Sequence, residues 1–196
     1  MDLLHTNSKS FYKQKFTDLN YSNKIIKNKE FEVCQFEKCS FVDCIFENCR
    51  FLDCSFRECI LSAISPVNSI FSEVKFIEAK VIGFDWTKAK SVRSLYFEKS
   101  IINYSNFTGL KLPDIKLKYC TSNEADFSEC DLSNGDFEGT DFERTRFFHT
   151  NLTKTNFSKA SNYSIDFRVN KIKKAKFSLP EATSLLDCLD IILEYE

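Results

Sequence analysis

Residues 34–59 read CQFEKCSFVDCIFENCRFLDCSFREC. Cysteine stands at positions 34, 39, 44, 49, 54 and 59, and phenylalanine two residues after each of the first five. A period of five fits neither a 3.6-residue helix nor a long alternating strand. It fits a short extended piece followed by a corner, repeated many times. Along an extended piece, positions i−2 and i point to the same side. Each cysteine and the phenylalanine after it therefore face inward together, and the other three positions face out or make the corner.

The same register runs outward from this stretch. Bulky centres recur at Phe31, Phe36, Phe41, Phe46, Phe51, Phe56 and Leu61, then at Phe71, Phe76, Val81 and Trp86, with Pro66 holding the spacing between them. A second run, shifted by one residue, starts at Phe97 and passes through Ile102, Phe107, Leu112, Leu117, Phe127, Leu132, Phe137, Phe142, Phe147, Leu152 and Phe157. Phe167, Ile172 and Phe177 close it, and Ser122 and Asn162 are weak members. The slip lies within TKAKSVRSLY, residues 87–96, and reads as a bulge between two stacks of coils. Pro66 stands in for an aromatic centre at a place where a missing N–H is tolerated.

Two residues before each centre the side chain is usually small: cysteine early, then Ser69, Ala79, Ser100, Ser105, Cys120, Ala125, Cys130, Gly135, Thr140, Thr145, Thr150, Thr155 and Ala160. The second run adds Asn106, Asp126, Asp131, Asp136, Asp141, Asn151 and Asn156 just before the centre, where such side chains hydrogen-bond nearby turn backbone. The segments ADFSE, CDLSN, GDFEG, TDFER, TNLTK and TNFSK, all within 125–159, resemble the A-(D/N)-L-X-X signature of the pentapeptide-repeat proteins. The resemblance covers about residues 31–177. It implies an all-β fold, a right-handed quadrilateral β-helix (a solenoid) with four pentapeptides per coil. At ~4.8 Å per coil, seven to eight coils make a rod of roughly 35–40 Å that needs a cap at each end.

Both ends depart from the pattern. Residues 1–30 keep bulky side chains at Phe11, Phe16, Tyr21 and Ile26 but lack small partners, having Lys9, Gln14, Leu19 and Lys24 instead. They read as a degenerate coil or cap whose Lys24, Lys27 and Lys29 discourage edge pairing. Residues 178–196 change period. Ser178 and Glu181 have capping-box spacing with Pro180 in the first turn, and Leu179, Ala182, Leu185, Leu186 and Leu189 follow helical spacing. A short C-terminal helix and tail are predicted. This segment reads either as a plain cap over the last coil or as a dimer interface, and the candidate dimerisation patch is Leu185, Leu186, Leu189, Ile191, Ile192 and Leu193, with Tyr195 closing the run, because it exceeds what one coil end needs. Family members that bind DNA gyrase join two rods through such a helix, and a two-fold contact is the ordinary solution.

Phenylalanine is abundant (21) while glycine (4) and methionine (1) are scarce. The N-terminal residues show no secretory signal, and no apolar run approaches the ~18–20 residues of a membrane span. A cytoplasmic location with the nine cysteines reduced is expected. Stacked cysteines such as Cys34 with Cys54 and Cys39 with Cys59 have parallel side chains, which disfavours a disulfide. Ala, Ser, Thr and Gly fill the same slot later, so cysteine reads as a small buried hydrophobe. His5 lies in a polar segment and His149 points outward, and neither is forced near a cysteine. No catalytic residue, cofactor site or metal site is expected, and the chain is not read as an enzyme.

The net charge is −1, so no overall field selects nucleic acid or anionic membrane. An acidic block of net −6 over residues 121–152 lies between blocks of +5 (87–120) and +6 (153–178). Its candidate partner surface is Glu124, Asp126, Glu129, Asp131, Asp136, Glu138, Asp141 and Glu143. Successive aspartates fall on successive faces, so the block is a belt around the rod. Quinolone-resistance members of the family bind gyrase or topoisomerase IV as DNA mimics, which requires acidic charge along the rod. A banded, nearly neutral rod is a poor copy of DNA. The expected function is a non-enzymatic interaction scaffold for an unidentified protein partner, and the alternative is a topoisomerase-binding DNA mimic.

Overall fold

A computed structural model describes residues 3, 4, 6–189, 191, 192 and 194. Three-residue strands, each with one buried central side chain, pair in parallel with strands 20 residues away. The result is a four-sided β-helix of about eight coils. Face 1 carries the centres Phe11, Phe31, Phe51, Phe71 and Val92. Face 2 carries Phe16, Phe36, Phe56, Phe76, Phe97 and Leu117. Face 3 carries Tyr21, Phe41, Leu61 and Val81, and face 4 begins with Ile26 and Phe46. Single bridges continue the ladders through the later coils.

The period of 20 stacks like on like. Phe11, Phe31, Phe51 and Phe71 form one column with ring centroids 5.1, 5.0 and 4.9 Å apart. Phe16, Phe36, Phe56, Phe76 and Phe97 form a second, at 4.9, 4.6, 5.2 and 4.8 Å. Offset-stacked rings at such distances add about 0.5–1.5 kcal/mol per pair beyond area burial, which accounts for phenylalanine at nearly every early centre.

The corner two residues after each centre lies in the left-handed region, for example Lys13 (φ 50°), Asn23 (φ 52°), Val33 (φ 55°) and Lys38 (φ 52°). In the later coils the corner tightens into a turn, as in the Thr145 N–H to Phe142 carbonyl bond of 2.9 Å. The Asx side chains hold those turns. Asp126 accepts from Ser128 N–H at 2.8 Å, Asp131 from Ser133 at 3.1 Å and Asn156 from Ser158 at 3.1 Å.

The one-residue slip is absorbed by a 3-10 turn, Trp86–Lys88, closed by the Asp85 carboxylate, which accepts from the Thr87 N–H and hydroxyl. Across it the pairing distance is 21, as in Phe71 with Val92 and Phe76 with Phe97, and it returns to 20 at Phe97 with Leu117. Val92, not Phe97, is thus the first centre of the second run. Pro66 sits buried at its face-4 centre, and the strands of that face stop at two, because proline has no N–H to give the next coil.

The N-terminal segment supplies both a coil and a cap, whereas the C-terminal end leaves the expected register. Residues 10–27 form a complete coil in register with the next. Leu3, 1 % exposed, covers its open end and donates its N–H to the Tyr21 hydroxyl at 2.8 Å. Lys29 ties down the segment before it, donating to the Thr6 and Ser8 carbonyls at 2.9 and 2.7 Å. At the other end, Asn162 is exposed with φ 56° and Phe167 is 37 % exposed, so neither is a core centre. Tyr163 and Ile165 fill the interior instead, because the chain turns as soon as Asn162 takes the left-handed corner.

The capping box does not form. Ser178 Oγ accepts from Lys159 N–H at 3.1 Å and the Glu181 carboxylate from Asn162 N–H, so both satisfy the open edge of the last coil. Glu181–Leu189 is a 3-10 helix rather than an α-helix.

Candidate interaction surfaces

Cys34, Cys39, Cys44, Cys49, Cys54 and Cys59 are buried free thiols. Each donates to the centre carbonyl one coil below, from Cys34 to Phe11 at 3.3 Å through Cys59 to Phe36 at 3.4 Å. Ser69 makes the same bond to Phe46 (2.8 Å), Cys130 to Phe107 (2.9 Å), Thr150 to Phe127 (2.9 Å) and Thr155 to Leu132 (3.0 Å). Where the inward slot holds Cys, Ser or Thr, the side chain usually adds this bond to the burial that Ala79, Ala125 and Ala160 provide in the same slot. Burial pushes the thiol of Cys49 up to about 11 and those of Cys54, Cys120 and Cys130 up to about 12. Thiols so protonated are poor nucleophiles and poor metal ligands. Among the described residues, no three His, Cys, Asp or Glu side chains converge in a metal-binding arrangement.

The acidic belt encircles the rod, with Asp126, Asp131, Asp136 and Asp141 bridged to coils on four different faces. Most of its charge is occupied. Asn151, Asn156 and Asn162 donate to Asp131, Asp136 and Asp141 at 2.8, 2.9 and 2.8 Å. Glu138 meets Lys159 at 2.9 Å, Lys118 at 3.5 Å and the Tyr119 hydroxyl at 3.1 Å, and Lys159 holds its carboxyl below the usual range. Arg144 lies 3.7 Å from Glu124 and 3.9 Å from Glu143. Glu129 is exposed. Tyr119 can reach Glu138 because Gly139 has no side chain; a Cβ there would lie 2.5 Å from the Tyr119 ring. His149 is exposed at a corner with φ 55°.

At the C-terminus, Leu185 packs partly against the core and Leu186 is half-buried. Leu189, Ile191 and Ile192 are 42, 53 and 91 % exposed, as is Leu179 at 82 %. Leu193 and Tyr195, like His5, lie outside the described residues.

Face 3 is a surface that reading along the chain misses. Its outward residues from Asn20 to Asn123 include one charge, Lys80. The rest are Asn, Ser, Thr and four aliphatics, Ile60 and Ile101 on either side of Lys80 in one column and Val42 and Ile82 on either side of Ser62 in the next, with Ile60 38 % exposed. Continuous pairing from Asn20 through Ser40, Ile60, Lys80 and Ile101 to Thr121 makes this face regular. The signal was present in the sequence, but at a spacing of 20 rather than five.

These features define a repeat protein built as a four-sided solenoid. Models of the pentapeptide repeat region and of pentapeptide repeats match residues 29–107 and 125–161. The chain belongs to the pentapeptide-repeat proteins. Full-length QnrB1, a plasmid-mediated fluoroquinolone resistance protein, is similar in structure with a TM-score of 0.71 and 19 % identity, over 93 % of this chain and 100 % of that one. A trypsin-treated form of QnrB1 matches at TM-score 0.64 and 19 % identity, over 95 % and 99 %. HetL, a pentapeptide-repeat protein involved in heterocyst differentiation regulation in a Nostoc cyanobacterium, gives a TM-score of 0.45 at 13 % identity, over 86 % and 87 %. Comparison with curated proteins finds no match. Among the described residues no helix is long and apolar enough to cross a membrane.

Proposed function

We propose that the rod is a non-enzymatic, cytoplasmic scaffold that docks a protein partner through face 3. The observation that carries this reading is the regular, almost uncharged outer surface from Asn20 to Asn123, with Val42, Ile60, Ile82 and Ile101 around its single charge, Lys80. A charge-poor patch with an apolar centre is the composition of an interface core. The acidic belt at Glu124, Asp126, Glu129, Asp131, Asp136, Glu138, Asp141 and Glu143 is a second candidate surface of the same scaffold. The exposed Leu189, Ile191 and Ile192 support a two-fold contact between rods. The test is capture of partner by the parent and by Ile60→Asp combined with Ile101→Asp. The reading expects loss of capture with an unchanged melting temperature, while Glu32→Lys on face 1 has no effect. Equal capture by all three contradicts it.

A second reading, a DNA mimic that binds gyrase or topoisomerase IV and confers quinolone resistance, is favoured by the full-length correspondence with QnrB1. The occupied carboxylates of the belt weigh against it, since a mimic must offer them to a DNA-binding surface. The scaffold reading predicts that micromolar protein neither inhibits gyrase supercoiling nor protects it from a quinolone.

A further inference from the structure

On face 2 every coil is bridged to the next from Lys15 to Lys176. Face 1 is not continuous. Its strands end at Ser91–Arg93, and its bridges resume with Lys111 to Asp131. On face 4 of the same coil, Phe107 N–H donates to the Asp126 carbonyl and Gly109 N–H to the Ser128 carbonyl, at 2.8 and 2.9 Å. Among the described residues Val92 and Ser94 make no such bonds to the Lys111 and Pro113 carbonyls. A cleft of about 710 Å³ lies at this break. It is lined by Lys75, Arg93, Lys111 and Lys116 against Glu73 and Asp114. All six are exposed, and among the described residues none of the four cations has a carboxylate within 4 Å.

We propose that this cleft binds a short, extended, acidic segment of a partner protein by strand addition. The segment's carbonyls accept from the Val92 and Ser94 N–H groups, and its N–H groups donate to the Lys111 and Pro113 carbonyls. An unpaired parallel edge supplies the backbone recognition that this mode of binding uses. The excess of two positive charges selects acidic side chains. The inference rests on the scaffold reading and names the chemistry of the partner.

Fluorescence anisotropy of the full chain with a labelled octapeptide of alternating aspartate and valine tests it. Expected are saturable binding, little binding of the matching lysine–valine peptide, and about tenfold weaker binding when alternate amides of the acidic peptide are N-methylated. Arg93→Glu combined with Lys111→Glu should weaken binding by about tenfold or more. Both sites are exposed, and should the variant fail to fold, raising salt on the parent reads the same charge dependence. Absent saturation, equal binding of the acidic and basic peptides, undiminished binding of the N-methylated peptide, or tighter binding of a single-stranded oligodeoxynucleotide would each overturn the proposal. If the peptide fails while the face-3 variants still lose capture, this inference falls and the scaffold reading stands.

Discussion

Cys54 illustrates how one residue holds two coils. Its thiol lies 3.3 Å from the Phe31 carbonyl, and its Cα follows that of Cys34 by one coil. Replacing it with alanine removes one donor and should cost about 1 kcal/mol in denaturant melts. The buried thiols also set a pH dependence. Cys49, Cys54, Cys120 and Cys130 titrate in the folded chain at about 11 to 12, against 9.0 for an unperturbed thiol. Folded pKa values raised in this way keep stability whole below pH 9, and it is lost as pH rises through the folded values. The urea midpoint should therefore fall from pH 9 upward, at about 1.4 kcal/mol per pH unit for each thiol ionised in the unfolded chain alone. A flat midpoint between pH 8 and 11 would contradict burial of the thiols. Val33 marks a different residue-scale effect. A β-branched side chain at φ 55° is strained. Val33→Asn should stabilise the protein by roughly 1 kcal/mol, read as a raised melting temperature.

At the scale of the coil, stability is a sum of layers. Phe137 is fully buried and packs on Phe142 and Phe157 at 5.4 and 5.1 Å. Phe137→Ala should cost ~3–5 kcal/mol, and a neutral result in denaturant melts would place this residue outside the core. The coils were legible in the sequence because the chemistry repeats locally: a bulky centre, a small inward partner and, later, an Asx before the centre. The end of the rod was not. Asn170 takes the inward slot of the last coil, accepting from Thr150 N–H at 2.9 Å and donating to the Phe147 carbonyl at 3.1 Å. Its position two residues before Ile172 keeps the five-residue spacing, but asparagine is not one of the small residues that mark the slot elsewhere, so the pattern does not single it out. The capping-box spacing of Ser178 and Glu181 was visible, but their oxygens serve N–H groups of the coil beneath, a partnership 19 residues apart.

At the scale of the molecule, the function-bearing surfaces are sums over coils, and these were only partly legible. The charge bands follow from the sequence, whereas the hydrogen bonds that Asn151 and Asn156 donate to Asp131 and Asp136 depend on a neighbour 20 residues on. The uncharged face 3 and the break on face 1 depend on the same long spacing. Two rods joined through Leu189, Ile191 and Ile192 predict a molar mass in solution of twice the 22.8 kDa chain, and a strict monomer at high concentration would remove that contact. The scaffold account is tested most directly by photo-crosslinking in cells from a reactive amino acid placed at Ile60 on face 3 or at Glu32 on face 1. The account predicts one discrete protein adduct from position 60 and none from position 32. No adduct from position 60, or the same adducts from both faces, would contradict it.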